Sequence, residues 1–273
     1  MIKEQAVRGE GVSKAAHSPN LHDCTGVDEL EKPAPGSDPL MPCSSISIIV
    51  PALNEAAIIE GFLKQLRDRA PTAEIILVDG GSSDGTPGRA ADLCNRVLVT
   101  MPGRAVQMNA GAKAASGDVL WFLHADCEVP DGCLEEITRA LHDPLTVGGF
   151  FRIRVPRSDL VYRLTDSFAH YAGLLLRMRF GDHGFFCRRT AFEKTGGYPD
   201  VPLMEDAEFF RKLRRLGRVV AIPSRLLVSP RRYEAVGPLR LSLSYGLIAS
   251  LYAARVPLPV LAAIYRRSVC REP

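Results

Sequence analysis

The stretch Asp118-Val119-Leu120-Trp121-Phe122-Leu123-His124-Ala125-Asp126 decides the fold. Five consecutive apolar residues, Val119 to Leu123, are too continuous for a strand with one wet face and suit one covered on both faces, as in the middle of a parallel sheet. The run stops at His124 and Asp126. In open α/β sheets ligands bind beyond the carboxyl ends of the strands, so these polar side chains leave a central strand where a site is expected. A carboxylate there suits a hard divalent cation, which takes oxygen ligands and shares them with substrate phosphates. A lone aspartate after a strand is more often a turn or N-cap residue, so the assignment depends on what the other strand ends carry.

Upstream, Ile46 to Val50 is a β-branched strand ended by Pro51, and Asn54 is predicted to N-cap an amphipathic helix from about Glu55 to Arg69. Glu74 to Val78 is a second strand, followed by Asp79-Gly-Gly-Ser-Ser-Asp84-Gly-Thr and a short helix to about Cys94. A third strand at Arg96 to Thr100 and a helix from about Arg104 to Ala115 lead back to the opening stretch. Four strands alternating with three helices predict a doubly wound, mainly parallel sheet with right-handed crossovers. Downstream, Gly148 to Val155 reads as a strand with Phe151, Ile153 and Val155 on one face, and Ser158 to Arg177 as a helix. The Gly-rich run Phe180 to Arg189 reads as a turn and a short strand, and Met204-Glu205-Asp206 opens an Arg-rich helix at roughly 205–216.

Composition narrows the class. The 273 residues, 46% hydrophobic and 24% charged, suffice for one large α/β domain or two small ones. A net charge of +3 does not imply nucleic acid, but it is unevenly spread, with 13 Arg or Lys against 5 Asp or Glu from Glu205 onward. Seven cysteines without a Cys-x-x-Cys pair signal neither a disulfide framework nor a zinc cluster, and point to reduced, cytosol-facing thiols. Residues 1–42, punctuated by Pro19, Pro33, Pro35, Pro39 and Pro42, carry neither strand nor helix period and read as a disordered tail without the apolar core of a signal peptide. Met41, just before the first strand, is a candidate start of translation.

Four motifs in order, Ile49-Val-Pro-Ala-Leu-Asn-Glu55, Val78-Asp-Gly-Gly-Ser-Ser-Asp-Gly-Thr86, Gly103-Arg-Ala-x-Gln-Met-Asn-x-Gly111 and Phe122-Leu-His-Ala-Asp126, resemble the family 2 glycosyltransferases of GT-A fold. The resemblance covers about Ser45 to Val220. It implies an α/β GT-A domain over 43–225, with a mainly parallel sheet flanked by helices; the C-terminal helical segment at 226–273 is read from its own residues. The resemblance also implies an inverting glycosyltransferase that moves a sugar from a nucleotide-diphosphate donor, a UDP-sugar, to a hydroxyl acceptor, with Mg2+ or Mn2+ as cofactor. On the family pattern Asp79 accepts from the base, Pro51, Ala52 and Leu53 line the nucleoside pocket, and Glu55 meets donor hydroxyls. Asp84, Arg104, His124 and Ala125 fall beside the nucleotide, Asp126 holds the metal, and Asp206 is the catalytic base with Glu205 next to it. The family reads Asp-x-Asp where this chain reads His124-Ala125-Asp126, which removes one fixed negative charge from the metal site. Asp182 and His183 are secondary candidates in a loop near acceptor and diphosphate.

Each of these residues also has a plain structural reading. Asp79 and Asp84 suit turns; Glu55, Glu205 and Asp206 suit first helical turns, where negative charge is favourable. Arg104 at a helix start is the reverse case, electrostatically unhelpful to its helix, which favours a role at the nucleotide. Gly80, Gly81 and Gly85 lack the Gly-x-Gly-x-x-Gly spacing, which disfavours a dehydrogenase. Two other classes stay open: a nucleotidyltransferase, which would carry a Gly-rich basic loop after its first strand, and a silent nucleotide-sugar binding protein.

The apolar run Leu241 to Ala254 is ended by Arg255, Pro257 and Pro259, too short for a membrane span of about 20 residues. Two short helices with Arg231, Arg232, Arg240, Arg266 and Arg267 suit an anionic membrane surface, or else packing on the catalytic domain or a second subunit. The expectation is a cytoplasmic protein, peripheral on the inner face of the cell membrane, whose acceptor is a lipid, a polyisoprenoid or a glycan; no nucleic acid partner is expected.

Overall fold

The computed structural model describes residues 45–156 and 181–269. The tail at 1–42 and the helix expected at Ser158 to Arg177 lie outside the described residues. Strands β1 (Ile46–Ala52), β2 (Glu74–Asp79), β3 (Arg96–Val99) and β4 (Val119–Phe122) pair in parallel, with β1 between β2 and β4 and β3 outside β2. Helices α1 (Ile59–Arg69), α2 (Thr86–Ala90) and α3 (Arg104–Ala114) form the crossovers.

The sheet continues beyond β4 through β7 (Phe186–Arg188), β6 (Thr146–Arg154), β8 (Arg218–Val228) and the two-residue β5 (Cys127–Glu128). Here β7 runs antiparallel to both β4 and β6, whereas β6 and β8 are parallel. The sheet is therefore mixed, mainly parallel on the side of β1.

Burial on both faces of the central strands is direct. On β1 Ile48 packs into one apolar layer and its neighbour Ile49 into the other; on β4 Trp121 and Phe122 divide in the same way. The first layer lies against α1, α2 and α4 (Cys133–Ala140), the second against α3, α5 (Arg189–Thr195) and α6 (Glu205–Leu213). Gly111 on α3 is needed for this packing, since a Cβ there would collide with Ile49.

Three C-terminal helices follow: α7 (Arg231–Val236), α8 (Pro238–Ala253) and α9 (Leu258–Ser268). The break between α8 and α9 lies between Ala253 and Leu258 and ends at Pro257, the N-cap of α9, while Pro259 sits in the first turn of α9, where its missing N–H is tolerated. Ile248, Ala249 and Leu261 from this segment bury Met204 and Ala207 in a third apolar cluster. No helix among the described residues is long and apolar enough to cross a membrane.

Two local expectations are corrected. Strand β1 runs through Pro51 to Ala52. Helix α1 begins only at Ile59, with Ile58 as its N-cap, so Glu55 precedes the helix and Asn54 does not cap it. Asn54 instead adopts a left-handed backbone, φ 54°, and its side-chain oxygen accepts the Ser83 N–H at 3.0 Å. Its short amide can satisfy a neighbouring loop, which competes successfully with capping.

Candidate active site

The carboxyl ends of β1, β2 and β4 share one edge of the sheet, as parallel pairing requires. The loops after β1 and β2 are fastened to each other by side chains. Asn54 N–H donates to Ser82 Oγ at 2.8 Å, Glu55 N–H to Thr86 Oγ1 at 2.9 Å, and Ala56 N–H to Asp84 Oδ2 at 2.9 Å. Asp84 Oδ1 also accepts from Thr86, and these bonds hold its carboxyl below the usual range. Asp84 is thus a fastener between loops.

Asp79 closes β2 and is buried. Its Oδ2 accepts from Gly81 N–H at 2.9 Å and Ser82 N–H at 2.8 Å, and its Oδ1 from the Ser82 hydroxyl. Gly81 takes φ +89° in this turn, a conformation open to glycine at little cost. Two residues of the third motif serve the frame in the same way. Gln107 Nε2 donates to the carbonyls of Ala52 and Val78, each at 2.8 Å, tying the ends of β1 and β2 together. Asn109 exchanges two hydrogen bonds with the backbone of Tyr198. Pro51, Ala52 and Ala125 are buried, whereas Leu53 is exposed.

Arg104, the remaining polar residue of that motif, connects the two halves. Its guanidinium lies 3.9 Å from Glu205 Oε1. Burial works against its charge, but Asp182, Asp206 and Glu205 more than offset this and raise it above its ordinary value. Arg104 in turn faces His124, whose imidazole is pushed below its ordinary value by burial first and by Arg104 second, against the opposing pull of Asp182 and Asp126. His124 Nε2 lies 3.9 Å from Asp182 Oδ1. Arg104 is therefore linked electrostatically both to the residues that open α6 and to His124 after β4. His183 is a fastener: its Nδ1 donates to the Phe151 carbonyl at 3.0 Å.

Glu205 and Asp206 are both buried in the first turn of α6. The preceding Met204 takes φ 69°, unusual for a residue with a side chain, and is held there by Ile248, Ala249 and Leu261. The C-terminal helices thus support the turn that presents Asp206.

Asp126 is the open member of the site, its side chain 42% exposed. No group of three His, Cys, Asp or Glu side chains among the described residues is arranged to hold a metal ion. A cation on Asp126 would therefore complete its shell with phosphate oxygens and water, the usual habit of Mg2+. Two cations that the sequence suggested only as membrane-facing charge lie beside these residues. Arg231 lies 3.1 Å from Glu55 Oε2 and 3.7 Å from Asp126 Oδ2, and Arg232 donates to Tyr245 Oη at 3.3 Å and faces Asp182. The signal was present as adjacent arginines after the last strand, but it reads equally well as a membrane-facing charge.

A mixed, mainly parallel sheet flanked by helices, with polar side chains gathered at its strand ends, is the GT-A type glycosyltransferase architecture, and the comparisons agree. Residues 47–197, more than half of the chain, match the family described as Glycosyl transferase family 2. The chain belongs to that family. A PGL/p-HBAD biosynthesis glycosyltransferase of Mycobacterium bovis is 32% identical over 58% of this chain and 64% of its own length. The mannosyltransferase PcManGT from Pyrobaculum calidifontis, solved with GDP-Man and Mn2+, shares the fold with a TM-score of 0.60 at 22% identity, over 86% of this chain and 73% of that one. Glucosyl-3-phosphoglycerate synthase from Mycobacterium tuberculosis, solved with Mn2+ and UDP, gives 0.56 at 19%, over 78% and 81%. The chain spans 61% to 67% of the length of the first curated relatives it matches.

Proposed function

We propose that the protein transfers a glycosyl unit, with inversion, from a nucleotide-diphosphate sugar to a hydroxyl acceptor. What supports this reading is that Arg104 lies 3.9 Å from Glu205, the neighbour of the buried Asp206, while His124, two residues before the open Asp126, lies 3.9 Å from Asp182, whose charge also acts on Arg104. Asp206 accepts the proton of the acceptor hydroxyl as its oxygen attacks the anomeric carbon, help that typically gives about 10²–10⁴-fold. Glu205 holds Arg104 in place beside it. Asp126 would hold Mg2+ or Mn2+, which supplies charge neutralisation to the departing nucleoside diphosphate. Asp79 and Leu53 receive the nucleoside, a uridine in our reading, and Glu55 stands close enough to Asp126 to meet the donor through Arg231.

Incubation with a panel of nucleotide sugars and Mn2+ or Mg2+ should release nucleoside diphosphate. Pyrophosphate instead would indicate nucleotidyl transfer, and no turnover a binding protein. Asp206→Asn should abolish transfer while leaving donor binding within about twofold, because the residue acts on the acceptor side; a collapse of donor affinity would remove its role as base. Asp126→Ala should weaken metal-dependent donor binding.

For the acceptor we propose a lipid or polyisoprenoid alcohol, with the protein peripheral on the cytoplasmic face of a membrane. The exposed row Leu239, Leu243 and Leu247 on α8, with Arg240, Arg255, Arg266 and Arg267 exposed nearby in sequence, supports this.

A further inference from the structure

The geometry points to Arg231 as a protein-borne cation of the diphosphate site, resting on Glu55 and Asp126 when no nucleotide is bound and gripping the diphosphate when one is. This rests on the reading of Asp126 as the place where the donor diphosphate and its cation meet.

Placement comes from the backbone. Strand β5 pairs antiparallel with the end of β8, Cys127 opposite Val228, and the ladder is extended by the Ser229 N–H donating to the Asp126 carbonyl at 3.0 Å. The residue two positions after Ser229 is thereby delivered to the Asp126 carboxylate by sheet register, and Arg231 N–H closes the turn by donating to Ser229 Oγ at 3.3 Å. Its guanidinium then makes a hydrogen bond to Glu55 at 3.1 Å but stands 3.7 Å from Asp126, beyond hydrogen-bond range. Glu55 engages one corner of a planar group with five N–H donors, which leaves the others for an anion entering beside Asp126. That fork matches the paired oxygens of a phosphate. The side chain is about half exposed, so the ion pairs that rest it are weak and easily exchanged for a more highly charged partner.

The charge balance explains why such a residue belongs here. Replacing the first carboxylate of Asp-x-Asp by His124 leaves one fixed charge to attract a dication. Arg231 adds positive charge of the sign the diphosphate needs, so part of the gripping passes from the metal to the chain. With no nucleotide present the same guanidinium competes with a metal ion for Asp126.

The test uses the full chain, with UDP and GDP as probes and UMP and GMP as controls, titrated calorimetrically with Mn2+ and again with EDTA. Arg231→Gln should lower nucleoside diphosphate affinity by about 10- to 100-fold, the range of a lost charge-assisted hydrogen bond, while changing monophosphate affinity far less. Arg231→Lys, which keeps the charge without the fork, should recover part of the loss. Binding of Mn2+ alone, followed by electron paramagnetic resonance, should tighten in Arg231→Gln because its competitor for Asp126 is gone. Equal diphosphate affinity in Arg231→Gln and wild type would overturn the role of Arg231 and leave the reading of the site intact; tighter diphosphate binding would overturn it too, and make the arginine an obstruction. A wild-type chain that binds neither nucleoside diphosphate would sink the donor site itself, and the arginine's role with it.

Discussion

Asp79 is a turn residue in the structure, and the proposed function asks it to be a binding residue as well. An ionised carboxylate offers about four acceptor positions. Gly81 N–H, Ser82 N–H and the Ser82 hydroxyl occupy three of them, which leaves one for a nucleobase N–H. On that proposal the turn does not compete with the ligand; it fixes the direction of the last lone pair. Two substitutions separate the roles. Ser82→Ala removes the hydroxyl that bridges Asp79 and the Asn54 N–H, and should cost about 1 kcal/mol of stability while leaving UDP affinity equal or better, since it frees an acceptor position. Asp79→Ala should lower both, by melting temperature and by calorimetry. If Asp79→Ala lowers the melting temperature but leaves UDP affinity unchanged, the base lies elsewhere. The motif around Gln107 and Asn109 carries a similar lesson. Sequence shows a run of polar residues on a helix; it does not show that two of them are spent on backbone carbonyls and amides 55, 29 and 89 residues away, which leaves Arg104 to face the acidic residues.

At the scale of elements, the helix that presents Asp206 is held from behind by the C-terminal helices. Tyr252 on α8 donates to Glu208 on α6, two residues beyond Asp206, while Met204 is wedged against Ile248 and Leu261. Burial of Glu208 raises its carboxyl, but the hydrogen bonds from Tyr252 and Arg211 outweigh this and hold it below its ordinary value of 4.5. A carboxylate whose value is lowered by folding stabilises the fold fully above that ordinary value, and the contribution fades as pH falls through the lowered one. Tyr252→Phe should therefore reduce the melting temperature at neutral pH, and the gap to wild type should narrow in acid. A gap that stayed constant with pH would show that Tyr252 works by packing alone. Ile248→Ala should cost about 2–4 kcal/mol, the usual range for emptying an apolar site, and should lower kcat more than donor affinity because the turn it supports carries Asp206. These contacts also mark the limit of reading the chain alone. Strands β1 to β4 were legible because their apolar runs are local and punctuated by Gly, Pro and Asp. The insertion of β7 between β4 and β6, the two-residue β5 and the late start of α1 were not, because pairing partners far away in sequence decide them.

For the molecule as a whole, α8 has one apolar face that is buried and another that is exposed. Leu241, Ile248 and Ala249 face inward and are buried, whereas Leu239, Leu243 and Leu247 are 65%, 66% and 51% exposed at positions spaced by four, which places them in one row along the helix. Singly exposed leucines are ordinary, but a row invites a partner. The basic excess of the C-terminal region sits with it, since Arg240, Arg255, Arg266 and Arg267 are all exposed. An exposed apolar row in a segment with exposed arginines suits an anionic bilayer, where buried side chains and lipid charge act together and salt weakens only the second. The full chain should float with vesicles containing anionic lipid, more weakly in high salt and hardly at all with neutral vesicles. Leu243→Glu should abolish flotation yet keep nucleoside diphosphate binding, because Leu243 lies on the face turned away from Met204. A chain that never floats, with Leu243→Glu indistinguishable from it, would remove the membrane and with it the main reason for a lipid acceptor. The proposal of glycosyl transfer would stand, since it rests on Arg104, Glu205 and the residues at the sheet edge and not on the outer face of α8.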